Sequence, residues 1–210
     1  MTWKEIRTIH DWLPEKSTGW HQHKNGGGWV QNTAYVEETA FVDEGAVISD
    51  QAVIRGQAVI CDQAVISDQA VISDQAVIYG QARISGRAVI RGQARISGEA
   101  RISDQAVISD QAVICDQAVI SGQTVISGQA VIYDQAVISG DTWDKSPLYI
   151  QGSHHSLCNS RRGYIRIGCF EYTFKYWLKH YREIGRLSGY TDDMIEEYKE
   201  YIDLFVAIGK

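Results

Sequence analysis

Residues 46–75 read AVISDQ AVIRGQ AVICDQ AVISDQ AVISDQ, which is one six-residue unit repeated five times. From Ile48 to Ile138 every sixth residue is isoleucine, sixteen in succession without a gap. Three earlier residues continue the same register towards the N-terminus: Val30, Val36 and Val42. Alanine stands two positions before each isoleucine of the run, except at Thr124. A short fixed period of this kind is typical of repeat architectures.

The unit predicts a parallel β-helix. Side chains alternate along a strand, so in Val-Ile-Ser the isoleucine points inwards while valine and serine point outwards. Asp-Gln or Gly-Gln then turns a corner, because glycine tolerates positive φ and aspartate can bond its own backbone there. Three strands close a triangular coil of 18 residues, and successive coils stack about 4.8 Å apart. Residues 29–141 therefore form a spine of about six coils.

An amphipathic or coiled-coil helix is the alternative for a periodic apolar pattern, and the spacing excludes it. A period of six matches neither 3.5 nor 3.6, and Val-Ile pairs favour strands. Both prolines, Pro14 and Pro147, lie outside the spine, as expected for central strands that need every N–H group. The predicted class is mainly β.

The two ends of a β-helix expose sheet edges, so caps are expected. Residues 1–28 predict a short helical N-terminal cap that ends at Pro14, with its tryptophans packed over the first coil. Its apolar residues fall roughly on one side: Trp3, Ile6, Ile9 and Trp12.

Residues 142–210 predict a C-terminal α+β cap or docking module. Residues 148–151 and 164–169 form a β-hairpin joined by a polar loop, and a helical hairpin with an aromatic seam follows. The first helix stops at Gly189, and Thr191 caps the second. The helices' apolar residues are Phe174, Trp177, Leu178, Tyr181 and Ile184, then Ile195, Tyr198, Ile202, Phe205 and Val206.

Composition limits the class of partner. The net charge is −6, and residues 29–141 carry 6 Arg, no Lys and 14 acidic residues, which is a balance of −8. No basic stripe is long enough to follow a nucleic-acid backbone. No apolar run reaches the length of a membrane span, and the first residues lack an apolar signal core. We therefore expect a cytoplasmic protein, and its four cysteines fit reduced thiols.

The repeat ISDQAV resembles the hexapeptide-repeat family, and this resemblance implies a left-handed β-helix. The flanking stretches GGWV at 27–30, LYIQGS at 148–153, IRIGC at 165–169 and YWL at 176–178 extend the likeness to uncharacterised, transferase-like hexapeptide-repeat proteins of phages and prophages. The resemblance covers nearly the whole chain and implies the cytoplasm of a bacterial host. It supplies no known reaction.

Many members of the hexapeptide-repeat family are acyltransferases that use acetyl-CoA and a histidine base on a coil or an inserted loop. This chain departs from that pattern, because no histidine lies between residues 24 and 153 and no loop interrupts the repeats. His154 and His155 are the catalytic candidates if the chain is an enzyme. With Cys169 they could form a nucleophile and base or part of a metal site. Polar loop residues beside a buried cysteine are the favoured alternative, so we predict no cofactor and no metal.

The outer faces of the spine predict self-association. One face carries an unbroken line of valines, here called the Val column: Val53, Val71, Val89, Val107 and Val125. Flat apolar surfaces of this size usually contact another molecule. The alternative is that the column only reflects β propensity and repeat duplication. Cys61 and Cys115 lie three coils apart on another face, too far for a disulfide.

Five of the six spine arginines fall within 19 residues and are here called the arginine belt: Arg83, Arg87, Arg91, Arg95 and Arg101. Arg83 and Arg101 stand 18 residues apart and should stack, which costs roughly 1–3 kcal/mol of repulsion. A solvated belt that keeps the faces soluble is one interpretation. The other is an anion site at an oligomer seam, because a guanidinium fork grips phosphate or carboxylate.

The sequence thus predicts a non-catalytic, oligomeric, phage-type binding protein. It would sequester a small anionic, nucleotide-like ligand or engage a host protein. The alternative is an acyltransferase that uses acetyl-CoA.

Self-association can be tested at the Val column. We expect the protein to scatter light as an oligomer at tens of micromolar and Val107→Arg to shift it towards the monomer, because the arginine places a charge in an apolar seam. A wild-type monomer at that concentration would contradict the prediction.

Overall fold

The computed structural model describes residues 1–209, so Lys210, the last residue of the predicted C-terminal module, lies outside the described residues. Residues 29–143 contain the strands of a parallel solenoid of about six turns. In chain order the first elements are α1 (Trp3–Ile9), β1 (Trp20–Gln22), β2 (Trp29–Gln31), β3 (Tyr35–Val36), β4 (Phe41–Val42), β5 (Val47–Ile48), β6 (Val53–Ile54), β7 (Val59–Ile60), β8 (Val65–Ile66), β9 (Val71–Ile72), β10 (Val77–Ile78), β11 (Arg83–Ile84) and β12 (Val89–Ile90). The remaining solenoid strands are β13 (Arg95–Ile96), β14 (Arg101–Ile102), β15 (Val107–Ile108), β16 (Val113–Ile114), β17 (Val119–Ile120), β18 (Val125–Ile126), β19 (Val131–Ile132), β20 (Val137–Ile138) and β21 (Thr142–Trp143).

Three sheets form the sides of the solenoid. The Arg face is the outer side of the sheet β1-β2-β5-β8-β11-β14-β17-β20. The Val face is the outer side of β3-β6-β9-β12-β15-β18-β21, and the third sheet runs β4-β7-β10-β13-β16-β19. Neighbouring strands pair 18 residues apart, as in Val53 with Val71 and Arg83 with Arg101. The predicted three-strand coil is confirmed.

The isoleucines fill the interior, as predicted. Every one from Ile48 to Ile138 is buried, and together with the alanines they form one continuous core. At the C-terminal end Trp143 takes the inward position of the next strand, where it is 1% exposed and pairs with Ile126. The indole seals the end of the core, so the ladder runs two residues past the predicted boundary at 141.

From Asp50 to Asp141 each corner turns through a residue with positive φ, which is aspartate or glycine. The prediction that aspartate bonds its own backbone is wrong at several corners. There the aspartate carboxylate accepts a hydrogen bond from the next coil: the Gly80 N–H donates to Asp62 at 2.9 Å, and the Gly122 N–H donates to Asp104 at 2.8 Å. Coil stacking places that amide within reach, so each such corner bonds the next coil.

The N-terminal segment differs from the predicted cap in three respects. Helix α1 ends at Ile9 rather than at Pro14, because His10 leaves the helix and its Nε2 bonds the Gly45 carbonyl at 2.9 Å. Trp12 lies beyond the helix and is 45% exposed. The unpredicted strand β1 pairs antiparallel with β2 and covers that sheet edge.

Helix α1 lies against the Arg face and not only over the first coil. Its buried Ile6 packs with Trp29 and Val47, two outward residues of that face. Val47 is fully buried as a result. The N-terminal part of the Arg face is therefore covered by the chain itself.

The C-terminal module contains a four-stranded antiparallel sheet instead of the predicted hairpin. Its elements are β22 (Tyr149–Gln151), β23 (Ser156–Cys158), β24 (Tyr164–Ile167), β25 (Phe170–Thr173), α2 (Phe174–Leu187) and α3 (Asp192–Ile208). Strand β23 lies in the stretch predicted as a polar loop, because Leu157 and Cys158 are buried. The helical hairpin, the Thr191 cap and the turn at Gly189 are confirmed.

Sheet and solenoid pack directly against each other. The Cys158 side chain is part of the solenoid core, and Tyr149 packs against the same core. The Ser139 amide donates to the Ser160 carbonyl at 3.1 Å across this junction. Among residues 1–209 no helix is long and apolar enough to span a membrane.

The inward register gives a stability prediction. Ile90→Asp should destabilise the protein by at least about 4 kcal/mol, because it buries an unpaired charge. Val77→Asp, which points outwards from the third sheet, is half-buried and pairs with Arg95, should cost no more than about 1 kcal/mol. Urea unfolding of both variants measures the difference, and equal losses would contradict the register.

Candidate functional site

A groove of about 360 Å³ lies where the C-terminal module meets the Arg face, and it is here called the junction groove. Outward residues Val119 and Val137 belong to its spine side, together with Gln117 and Gln135 of the neighbouring corner. Its other side comes from β22, β23, β24 and the loops that follow them: Gln151, His154, His155, Ser156, Cys158, Arg166 and Gly168. The spine and the module thus build the groove together.

The loop that carries both histidines is held by helix α3. The Ser153 amide donates to the Glu197 carboxylate at 3.0 Å, and the Ser153 hydroxyl bonds it as well. The Tyr198 hydroxyl accepts from the His154 amide at 3.1 Å and donates to the His155 carbonyl at 2.6 Å. A Cβ atom at Gly152 would lie 2.6 Å from the Tyr198 hydroxyl, so this position requires glycine.

His155 is the more constrained of the two histidines. Its Nδ1 bonds the Tyr190 hydroxyl at 2.6 Å, and its ring lies directly over Gly168. Burial lowers the pKa of His155, and the neighbouring His154 lowers it further. Nε2 is available as a base only in the tautomer whose Nδ1 carries the proton and donates to Tyr190. For Tyr190, by contrast, burial raises the pKa, so its hydroxyl keeps its proton near neutral pH.

Arg166 is the charged group of the groove. It points outwards from β24 between the buried Ile165 and Ile167. Its Nε donates to the Gly168 carbonyl at 3.1 Å, which fixes the side chain at the groove and leaves the terminal nitrogens for other acceptors. No carboxylate lines the groove within the described chain. An arginine, two histidines and three glutamine amides can therefore donate to an anion there.

A second, more enclosed cavity of about 40 Å³ adjoins the groove inside the C-terminal module. His155 and Gly168 line both spaces. Most of the other lining is apolar and aromatic, from helices α2 and α3. This volume accommodates only a few atoms, so the cavity is too small for a nucleotide-sized ligand.

Cys169 is not the buried cysteine that the sequence predicts. It lies in the turn between β24 and β25 and is exposed, because the four-stranded sheet ends there. The buried cysteine of the module is Cys158, whose pKa burial raises to about 11. No cluster of three metal-ligating side chains occurs in residues 1–209.

The arginine belt is divided among different sides of the solenoid. Arg83 and Arg101 pair in register on the Arg face, as predicted. Arg95 lies on the third sheet, and Arg87 and Arg91 follow the ends of β11 and β12, with Arg87 bonded to Gln69. Within residues 1–209 none of the five has a carboxylate at ion-pair distance.

The Val column lies in register on the Val face. Val53, Val71, Val89, Val107 and Val125 are all half-buried in the single chain. The strands of this face carry no charged residue between Val53 and Ile126, and the exposed Arg55 and Arg91 directly follow β6 and β12. The predicted column is present as a continuous surface.

Two features of the groove escaped the sequence analysis. The sequence assigns Arg166 no role, although its place between two isoleucines in a strand marks it as outward. Tyr198 is predicted only as part of the apolar face of the last helix, and the sequence assigns no role to Tyr190 or Glu197. Their hydrogen bonds to the histidine loop span 35 to 44 residues, which no local pattern indicates.

The lowered pKa values predict a pH effect on stability. His155 and the buried His10 titrate below their unfolded value of about 6.5, so the folded state binds fewer protons than the unfolded state. Stability should be complete above that pH and should fall as the pH drops through the folded pKa values. His155→Asn, which can retain the bond to Tyr190, should reduce the slope of unfolding free energy against pH. An unchanged slope would contradict this assignment.

Comparison with known proteins adds no relative. No protein-family model matches the chain, and no curated protein and no solved structure matches it either.

Proposed function

We propose that the chain is a non-catalytic, oligomeric binding protein that holds a small phosphate-bearing anion in the junction groove. The observation that carries the proposal is the composition of the groove, which combines Arg166, two histidines and glutamine amides with no carboxylate. This occurs in a protein of net charge −6, where most exposed surface disfavours anions.

The chemistry of the donors supports a phosphate or carboxylate group. Arginine offers a planar fork that matches both groups, and hydrogen bonds to a charged acceptor are stronger than neutral ones. His154 is exposed at the rim, while His155 is fixed by Tyr190. The valine side of the groove suits an apolar part of the ligand. A small molecule fits this mixed lining better than a long nucleic acid does.

The proposal also covers where the protein acts and how it associates. The repeat resembles left-handed hexapeptide-repeat proteins of phages, so the protein would act in the cytoplasm of a bacterial host. Self-association through the Val column is supported by five half-buried valines that lie in register on one face. A host protein is the other partner that such a face could accept.

Acyl transfer is the second candidate, and one observation favours it. His155 lies at the groove, its pKa is lowered, and Tyr190 orients its ring. These are properties of a general base. Acetyl-CoA would then be the acyl donor and would occupy the same groove.

The binding proposal predicts that calorimetric titration detects butyl phosphate. Arg166→Ala should weaken binding roughly 10- to 100-fold, because a charge-assisted hydrogen bond contributes about 1.5–3 kcal/mol. His154→Ala should weaken it less. Arg95→Ala is the matched control, since it removes the same charge from another face and should leave the affinity unchanged.

Two results would contradict the proposal. One is the absence of binding, or binding that Arg166→Ala leaves intact. The other is steady turnover of acetyl-CoA that His155→Ala abolishes, which would establish the second candidate instead.

A further inference from the structure

We infer, resting on the proposed function, that the ligand is an elongated molecule with an anionic group at each end. One anionic end would lie in the junction groove at Arg166, and the other would lie between Arg83 and Arg101 on the same face of the solenoid. The juxtaposition of these two positive sites along one uncovered strip of sheet is the basis of the inference.

Strand order places the two sites in line. Strands β11, β14, β17 and β20 are consecutive neighbours in one sheet. Their outward residues are Arg83, Arg101, Val119 and Val137 in that order. The midpoint of the arginine pair is two strand spacings from the midpoint of the two valines, which is about 10 Å. The valines form an apolar floor between the two positive ends.

The arginine pair itself points to an anion. Arg83 and Arg101 lie in directly paired positions on adjacent strands, and both side chains are exposed. Like charges opposite each other on neighbouring strands are unfavourable. Neither has a carboxylate at ion-pair distance among residues 1–209, not even Glu99, which lies two positions before Arg101. An anion between the guanidinium groups would remove the repulsion.

The chain limits this strip at both ends. Beyond Arg83, Val65 is only 8% exposed and Val47 is buried beneath the segment that contains α1. His10 of that segment is near enough that the charge of Arg83 contributes, after burial, to lowering its pKa. Beyond Val137 the C-terminal module forms the wall of the groove. The uncovered strip therefore spans four strands, about 15 Å, which sets the length of ligand that fits.

One edge of the strip is acidic. Glu99, Asp116 and Asp134 line a neighbouring corner surface with Gln117 and Gln135. The Asp116 carboxylate accepts from the Asp134 amide at 3.3 Å. These charges disfavour an anion that crosses this edge, so the ligand should run along the solenoid axis. They also mean that removing the Glu99 charge should tighten binding.

The test is calorimetric titration with bisphosphates bridged by ethane, butane, octane and dodecane chains, with butyl phosphate as the one-ended reference. We expect the affinity to rise with bridge length and to be highest near octane, at least tenfold above butyl phosphate. Arg83→Ala/Arg101→Ala should reduce the octane bisphosphate to the affinity of butyl phosphate and leave butyl phosphate itself unchanged. Glu99→Gln should strengthen only the bisphosphate. Arg91→Ala/Arg95→Ala is the matched control and should change neither ligand.

The outcomes separate the two proposals. If butyl phosphate binds through Arg166 but bridge length and the Arg83/Arg101 substitutions have no effect, the inference of a two-ended ligand is wrong and the groove proposal stands. If the bisphosphate responds to Arg83 and Arg101 but not to Arg166→Ala, the two-ended site is wrong. If no ligand binds, both proposals fail.

Discussion

The structure depends on one geometric constraint, which is that a corner must close after every short strand so that the next isoleucine points inwards again. A residue with positive φ meets this constraint at corner after corner, and the chain places aspartate or glycine there. A missed corner would turn the following isoleucines outwards. Regular closure also explains why the sides of the solenoid are flat, with their outward residues in columns one strand spacing apart.

Because the sides of the solenoid are flat, the outward residues of successive coils line up in columns on its surface. Outward positions contribute little to the core, so arginine can replace valine at Arg83, Arg95 and Arg101 without disturbing the register. A solenoid side alone offers only open depressions, such as the one that Val77, Arg95 and Val113 line on the third sheet. The junction groove has a second wall, because the C-terminal module stands against the Arg face where Cys158 and Tyr149 pack against the solenoid core. The junction groove is thus a consequence of how the solenoid is closed.

Much of the spine could be predicted from the sequence, because its determinants are local and periodic. The inward isoleucines, the pairing of Arg83 with Arg101 and the alignment of the Val column all follow from a period of six and three strands in each coil. The ends could not be predicted in the same way. Strand β23 is recognisable only once Leu157 has a partner core, and the exposure of Cys169 follows from where that sheet turns. The groove depends on contacts such as Glu197 with Ser153, which the sequence separates by 44 residues.

The most direct test of the account is a crystal structure of the protein grown with the octane-bridged bisphosphate. We expect one phosphate bonded to the terminal nitrogens of Arg166, the other between Arg83 and Arg101, and the alkyl chain over Val119 and Val137. A ligand bound at any other face, or an Arg face that stays empty while the ligand is in excess, would contradict it.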